Sequence, residues 1–172
     1  MLLGNLMRFY KDENNLEKML SIINGESDIS LRIVDWFATN YAKANFTVYS
    51  IGEQRFKVYN DYKLKLRAYS KKRFDPFCRW ERINIPYKDG KQIQTTIGQL
   101  NFFKWALENG VINYIEDNKD AIEQDMTKRN STSRRKPVQN GNSKTRKRRE
   151  ELSVCASKTI FKEDVEITVK FN

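Results

Sequence analysis

Apolar residues recur along this chain at two spacings, and the spacing changes where turn residues stand. Leu16, Met19, Leu20 and Ile23 fall at i, i+3, i+4 and i+7 with Asn24-Gly25 directly behind, so residues 14–24 read as an amphipathic helix. Residues 2–10 read as a shorter helix before it. Ser27 or Asp28 stands ready to cap a further helix whose face is Leu31, Val34, Phe37, Ala38 and Tyr41, ending near Asn45. Residues 46–51 then alternate weakly, as a short strand does.

Residues 55–77 satisfy both periods. The run 63–68 alternates like a half-buried strand, whereas Phe56, Tyr59, Tyr62, Leu66 and Tyr69 keep helical spacing, and length favours the helix. Pro76 pushes Asp75 out of the helical region, which ends that helix by about Phe74. Ile83, Ile85 and Tyr87 alternate, Asp89-Gly90 has the form of a two-residue type I′ turn, and residues 92–95 return as a second strand. Thr96-Ile97-Gly98-Gln99 has the form of a capping box opening a helix with Leu100, Phe103 and Leu107 on one face, and Asn109-Gly110 closes it. A further helical stretch bears Ile112, Ile115, Ile122 and Met126 among Glu116, Asp117, Asp120, Glu123 and Asp125.

Near the end, residues 152–160 and 165–171 read as two strands around a Lys162-Glu163-Asp164 turn. The second is the most regular in the chain, with Val165, Ile167, Val169 and Phe171 on one face and Glu166, Thr168 and Lys170 on the other. The pattern as a whole predicts an α+β chain, mainly α. A helical body with a small hairpin occupies residues 1–126, a flexible basic arm 127–151, and a C-terminal β-hairpin 152–172.

Charge changes the picture at the arm. Lys128, Arg129, Arg134, Arg135, Lys136, Lys144, Arg146, Lys147, Arg148 and Arg149 stand in residues 128–149 without one Asp or Glu. The chain holds 32 basic and 22 acidic residues, so outside this stretch 32 − 10 = 22 basic residues balance 22 acidic ones. With Val138 its only apolar residue, the stretch cannot bury enough surface to offset backbone entropy, and a solvated, mobile arm is expected. Such charge density suits a polyanion, nuclear import, or a plain linker, and nucleic-acid contact is the favoured reading.

A second basic region spans residues 55–82, with ten Lys or Arg against Asp61, Asp75 and Glu81, and with Phe56, Tyr59, Tyr62, Tyr69, Phe74, Phe77 and Trp80 interleaved. Aromatics among cations are what a single-strand surface uses. Helical spacing places the aromatics in the core instead, with Lys and Arg stems over their edges. Lys71, Lys72 and Arg73 remain as an exposed patch.

Catalysis has little to stand on. The chain has no histidine, so imidazole-dependent triads and zinc hydrolases are excluded. Cys78 and Cys155 are too isolated for a disulfide framework or a metal site and read as buried free thiols. Gly90-Lys91 lacks the glycines of a P-loop, and no carboxylates have metal-site spacing, although scattered acids such as Asp35, Asp61 and Asp75 can converge in three dimensions. A non-enzyme without metal or cofactor is expected. Residues 1–7 lack the features of a secretory signal, and no apolar run approaches the ~18 residues that span a bilayer.

Three runs carry a resemblance. They are Asp75-Pro76-Phe77-Cys78-Arg79 after Ala68-Tyr69-Ser70-Lys71-Lys72-Arg73-Phe74, the block Thr95-Thr96-Ile97-Gly98-Gln99-Leu100-Asn101-Phe102-Phe103-Lys104-Trp105-Ala106, and Thr145-Arg146-Lys147-Arg148-Arg149-Glu150-Glu151-Leu152-Ser153. From about Ser27 onward the chain resembles small, basic, uncharacterised proteins of giant and algal viruses of the nucleocytoplasmic large DNA virus group. The resemblance implies a setting, a viral factory in host cytoplasm or a virion, and no catalytic residue; the basic clusters also permit entry to the nucleus.

Together these readings point to non-specific binding of DNA or RNA through the arm and the body patch. The rival is a virion structural or assembly protein, in which the face Val165, Ile167, Val169 and Phe171 pairs with another subunit or other virion or factory proteins.

Overall fold

The computed structural model describes residues 2–134 and the short strand Lys162–Glu163. Helices α1 (Leu2–Tyr10) and α2 (Glu13–Asn24) open the chain, the first with the expected bounds and the second starting one residue earlier than its apolar spacing predicts. Asp12 caps α2 by accepting the Asn14 N–H at 3.0 Å, and Gly25 takes φ 74° at the other end, closing onto the carbonyls of Ser21 and Ile22. Helix α3 (Leu31–Trp36) runs through a π turn (Phe37–Tyr41) into the short α4 (Ala42–Ala44). Its cap is Ser30, whose hydroxyl accepts the Ile33 N–H at 3.3 Å. Ser27, one of the expected caps, instead takes the Ile29 N–H at 3.2 Å, a local turn that delays the helix.

Strands β1 (Val48–Ile51) and β2 (Gln54–Lys57) form a hairpin at Gly52, φ 59°. Residues 55–57, read from sequence as the start of a helix, therefore belong to strand β2. The Tyr49–Phe56 pair across the hairpin, ring centroids 5.4 Å apart, supplies the cross-strand contact that overrides their helical spacing. Helix α5 (Val58–Tyr69) follows, then a 3₁₀ turn at Lys71–Arg73.

Strands β3 (Arg82–Pro86) and β4 (Gln92–Thr96) pair antiparallel from Arg82↔Thr96 to Pro86↔Gln92, joined by residues 87–91. The two-residue turn expected at Asp89-Gly90 is thus a longer loop with a 3₁₀ turn at Lys88–Gly90. Pro86 has no N–H to carry the ladder further, and the Tyr87 N–H closes the loop on the Lys91 carbonyl at 2.7 Å. The strand β5 (Lys162–Glu163) adds to the other edge of β4 through Gln92↔Glu163 and Ile93↔Lys162, giving the order β3-β4-β5. Lys162 and Glu163 were expected in a turn; pairing with an open strand edge satisfies their backbone groups instead. The flanking runs, with Val165, Ile167, Val169 and Phe171, lie outside the described residues.

Helix α6 (Ile97–Glu108) is the centre of the body. Leu100, Phe102, Phe103, Trp105 and Ala106 are all buried, which wraps apolar surface around the helix instead of along one stripe. Tyr62, Phe74, Phe102 and Trp105 form one aromatic cluster with centroids 5.6–6.5 Å apart. From α1, the Tyr10 hydroxyl donates to the Leu100 carbonyl at 2.7 Å. Thr96 caps α6, accepting the Gln99 N–H at 3.1 Å, while Gln99 Oε1 accepts from the Thr95 hydroxyl at 3.1 Å.

Gly110, φ 63°, turns the chain into α7 (Val111–Asp117), and α8 (Lys119–Arg134) follows. Helix α8 corrects the boundary of the body. The helix continues past Met126 through Lys128 and Arg129 to Arg134, where the sequence pattern places a flexible arm. Asp125 explains the first part of that extension. It pairs with Arg129 one turn ahead at 2.8 Å and accepts the Trp36 indole N–H at 3.0 Å, which ties α8 to α3. Cations in a last helical turn also complement the helix dipole. The chain is α+β and mainly α.

Candidate nucleic-acid interface

The basic turn of the body is held by strained backbone at both ends. Ser70 has φ 65° and ψ 161°, a region that glycine alone enters readily, and Glu81 has φ 54°. Among the described residues only Phe46 shares a positive φ without being glycine. Each such residue costs roughly 1–3 kcal/mol, so the segment between them must be fixed by contacts that outweigh the strain.

Those contacts come from α5 and α6. Phe74 is fully buried against Tyr62, Phe102 and Trp105, and Pro76 is buried beside it. The Asn101 amide donates to the Arg73 carbonyl at 2.9 Å. Asp75 folds the loop on itself, its carboxylate accepting the Phe77 N–H at 2.9 Å and its carbonyl the Cys78 N–H at 3.0 Å. Gly98, in the first turn of α6, lies so close beneath that a Cβ there would stand 2.8 Å from the Asp75 carbonyl and 3.0 Å from that of Lys72. No larger residue fits without moving the loop.

What this anchoring presents to solvent is positive. Lys71, Lys72, Arg73, Arg79 and Arg82 are exposed, with Glu81 among them. Lys71 lies 4.0 Å from Asp75, and Arg82 donates to Gln94 at 3.2 Å. Trp80 is 61% exposed, and the Lys72 ammonium lies 5.0 Å from the centre of its ring. Trp80 therefore departs from the core placement expected of the aromatics in this region, while Tyr62 and Phe74 follow it and Phe56, Tyr59, Tyr69 and Phe77 are half-buried.

Of the three acids singled out in the sequence, two approach each other. Burial, reinforced by the charge of Asp75 and opposed by Lys71, pushes the Asp35 carboxyl up to about 6. Burial and then Asp35 and Asp75 push the Tyr62 hydroxyl up to about 12. Asp61 is engaged elsewhere, accepting the Trp105 indole N–H at 2.7 Å. No cluster of three or more His, Cys, Asp or Glu is placed to hold a metal among the described residues. Cys78 is a half-buried free thiol and Cys155 lies outside the described residues. No described helix is long and apolar enough to cross a membrane.

The charged residues expected in the arm divide into two groups. Lys128 and Arg129 are exposed on α8 and Arg134 is its last residue. Arg135, Lys136, Lys144, Arg146, Lys147, Arg148 and Arg149 lie outside the described residues. The spacing rules also passed over Gly98 and Asn101, which position the turn. Only Pro76 gave a usable signal, since it separates Trp80 from the helical register of the aromatics before it.

The profile of one family, described as a family of unknown function (DUF7197), matches residues 1–170. The chain belongs to this family. It is similar to "Uncharacterized protein L507" of Acanthamoeba polyphaga mimivirus, at 47% identity over 134 residues, covering 71% of this chain and 52% of that protein. The chain thus spans about half the length of this curated relative. The match bears out the resemblance to an uncharacterised giant-virus protein, and does not carry the small, basic character expected of the relatives. No solved structure matches the chain.

Proposed function

We propose that this member of DUF7197 is a viral, non-catalytic nucleic-acid-binding protein, which neutralises phosphates through the basic stretch 128–149 and through Lys71, Lys72 and Arg73. The observation that carries the reading is the anchored turn. Three consecutive cations project from backbone that the core holds rigid, and no described carboxylate lies at ion-pair distance from Lys72 or Arg73. Cations held in place lose less entropy on binding than free ones do. Where Val165, Ile167, Val169 and Phe171 dock separates this reading from the assembly one: on the chain's own body for a binder, on another subunit for an assembly protein. A viral factory in host cytoplasm, a virion, or the nucleus all supply such a ligand.

The test is binding of the full chain to unrelated DNA and RNA sequences across a salt titration. Binding should show little sequence preference. Replacing Lys144, Arg146, Lys147, Arg148 and Arg149 with Gln should weaken all sequences alike and flatten the slope of log K against log salt by up to about 4, at ~0.9 per phosphate contact. Gln at Lys71, Lys72 and Arg73 should flatten it further, by about 2 to 3. Affinity unchanged by both sets of replacements rules the proposal out.

A further inference from the structure

We infer that Trp80 is a stacking platform for an unpaired base, which makes single-stranded nucleic acid the ligand of the basic turn. This rests on the nucleic-acid reading above and narrows it.

Tryptophan is among the residues most buried on average, so a ring 61% exposed on a well-anchored loop is a feature to be explained. Trp80 is not at a loose loop tip. It stands between buried Phe74 and Pro76 on one side and strained Glu81 on the other, and β3 begins directly after at Arg82. The ring is thereby held outside the core, against the hydrophobic gain of burying it. Cations stand on both sides of it in the chain, Lys71, Lys72 and Arg73 before and Arg79 and Arg82 around it. An exposed aromatic face amid cations is the combination that grips a single strand, the ring taking a base and the cations its phosphates. A duplex has its base faces already stacked, so it offers this ring nothing beyond what the cations alone would bind. Lys72, now over the ring, is placed to exchange that contact for a phosphate next to the stacked base.

The experiment uses the full chain, a labelled oligothymidylate, an abasic strand with the same number of phosphates, and a duplex of the same length. Wild type should bind the oligothymidylate most tightly, with quenching of tryptophan fluorescence. Trp80→Ala should weaken that binding by about tenfold, remove the quenching, and leave abasic and duplex binding and the salt slope unchanged. Trp80→Tyr should restore most of the affinity, since a phenol ring also stacks. Equal affinity of wild type for the abasic strand, or an Ala variant that binds as wild type does, overturns the stacking role and leaves phosphate binding standing. A Trp80-dependent complex with a poly-Glu peptide at least as tight as that with the oligothymidylate overturns it in favour of an acidic protein partner. Failure to bind any nucleic acid overturns the parent reading and this one together.

Discussion

On the turn Lys71–Arg73, the backbone beneath the cations is gripped by other parts of the body, through Asn101, Gly98 and the burial of Phe74. On α8, the bond between Arg129 and Asp125 joins neighbours one turn apart in the same helix. The first arrangement exists only through long-range packing, and in the second the ion pair itself is local, although Asp125 also accepts the Trp36 indole N–H from α3. The two basic segments therefore differ in what they offer a ligand. The turn offers positions, and residues 128–149 offer density of charge. Perturbing the packing should damage the first and leave the second intact.

The largest effect should come from Phe74→Ala. Phe74 joins the strained turn to Tyr62, Tyr69, Phe102 and Trp105, and removing a fully buried aromatic of this kind costs about 3–5 kcal/mol. Urea unfolding should show a loss of that size. Any protein that remains folded should lose its preference for single strands while keeping most of its salt-dependent affinity. A loss below about 1 kcal/mol would mean that the turn is not tied to the core as described.

Asp35 sharpens the comparison through pH. Its folded value of about 6 lies above the unfolded value of 3.8, so the folded chain holds this proton more tightly than the unfolded chain does. Its favourable contribution is complete below about pH 4 and is lost as pH rises towards and through 6, by up to about 3 kcal/mol at neutrality. Asp35→Asn should remove that fall and stabilise the protein at pH 7 by about 2 kcal/mol. Denaturant unfolding of both proteins between pH 4 and 7 measures it, and parallel curves would remove the assignment. Because Asp75 and Lys71 bear on the same carboxyl, the effect belongs to the foot of the anchored turn.

The same contrast explains what was legible in the sequence. Local devices read correctly: the spacing that bounds α1 and α2, the Gly25 and Gly110 turns, and the Thr96 cap. Lys71, Lys72 and Arg73 were also legible as an exposed patch, because charge and burial seldom coexist without a partner. What failed was decided at a distance. Phe56 kept helical spacing and became strand because Tyr49 lies opposite it. Trp80 looked like one more core aromatic, and only the fold shows that Pro76 and the strained Glu81 turn it outward. Gly98 was read as a spacer in a capping box, whereas its lack of a side chain is what admits the carbonyls of Lys72 and Asp75. No one-dimensional pattern encodes that approach.

The smallest effect expected is that of Thr96→Ala, and it tests how far the two kinds of support are separable. The Thr96 hydroxyl satisfies the Gln99 N–H at 3.1 Å, a local bond at the start of the helix that carries Gly98 and Asn101 to the turn. Losing an N-cap of this kind costs about 1 kcal/mol. Leu100, Phe102, Phe103 and Trp105 keep α6 in place without it, so the helix should stay where it is and the turn with it. Unfolding should therefore show a loss of about 1 kcal/mol, with affinity and salt slope for single strands unchanged. If affinity fell along with stability, the first turn of α6 would be shown to shift when its cap is lost, and the anchoring of Lys71, Lys72 and Arg73 would depend on a local bond after all.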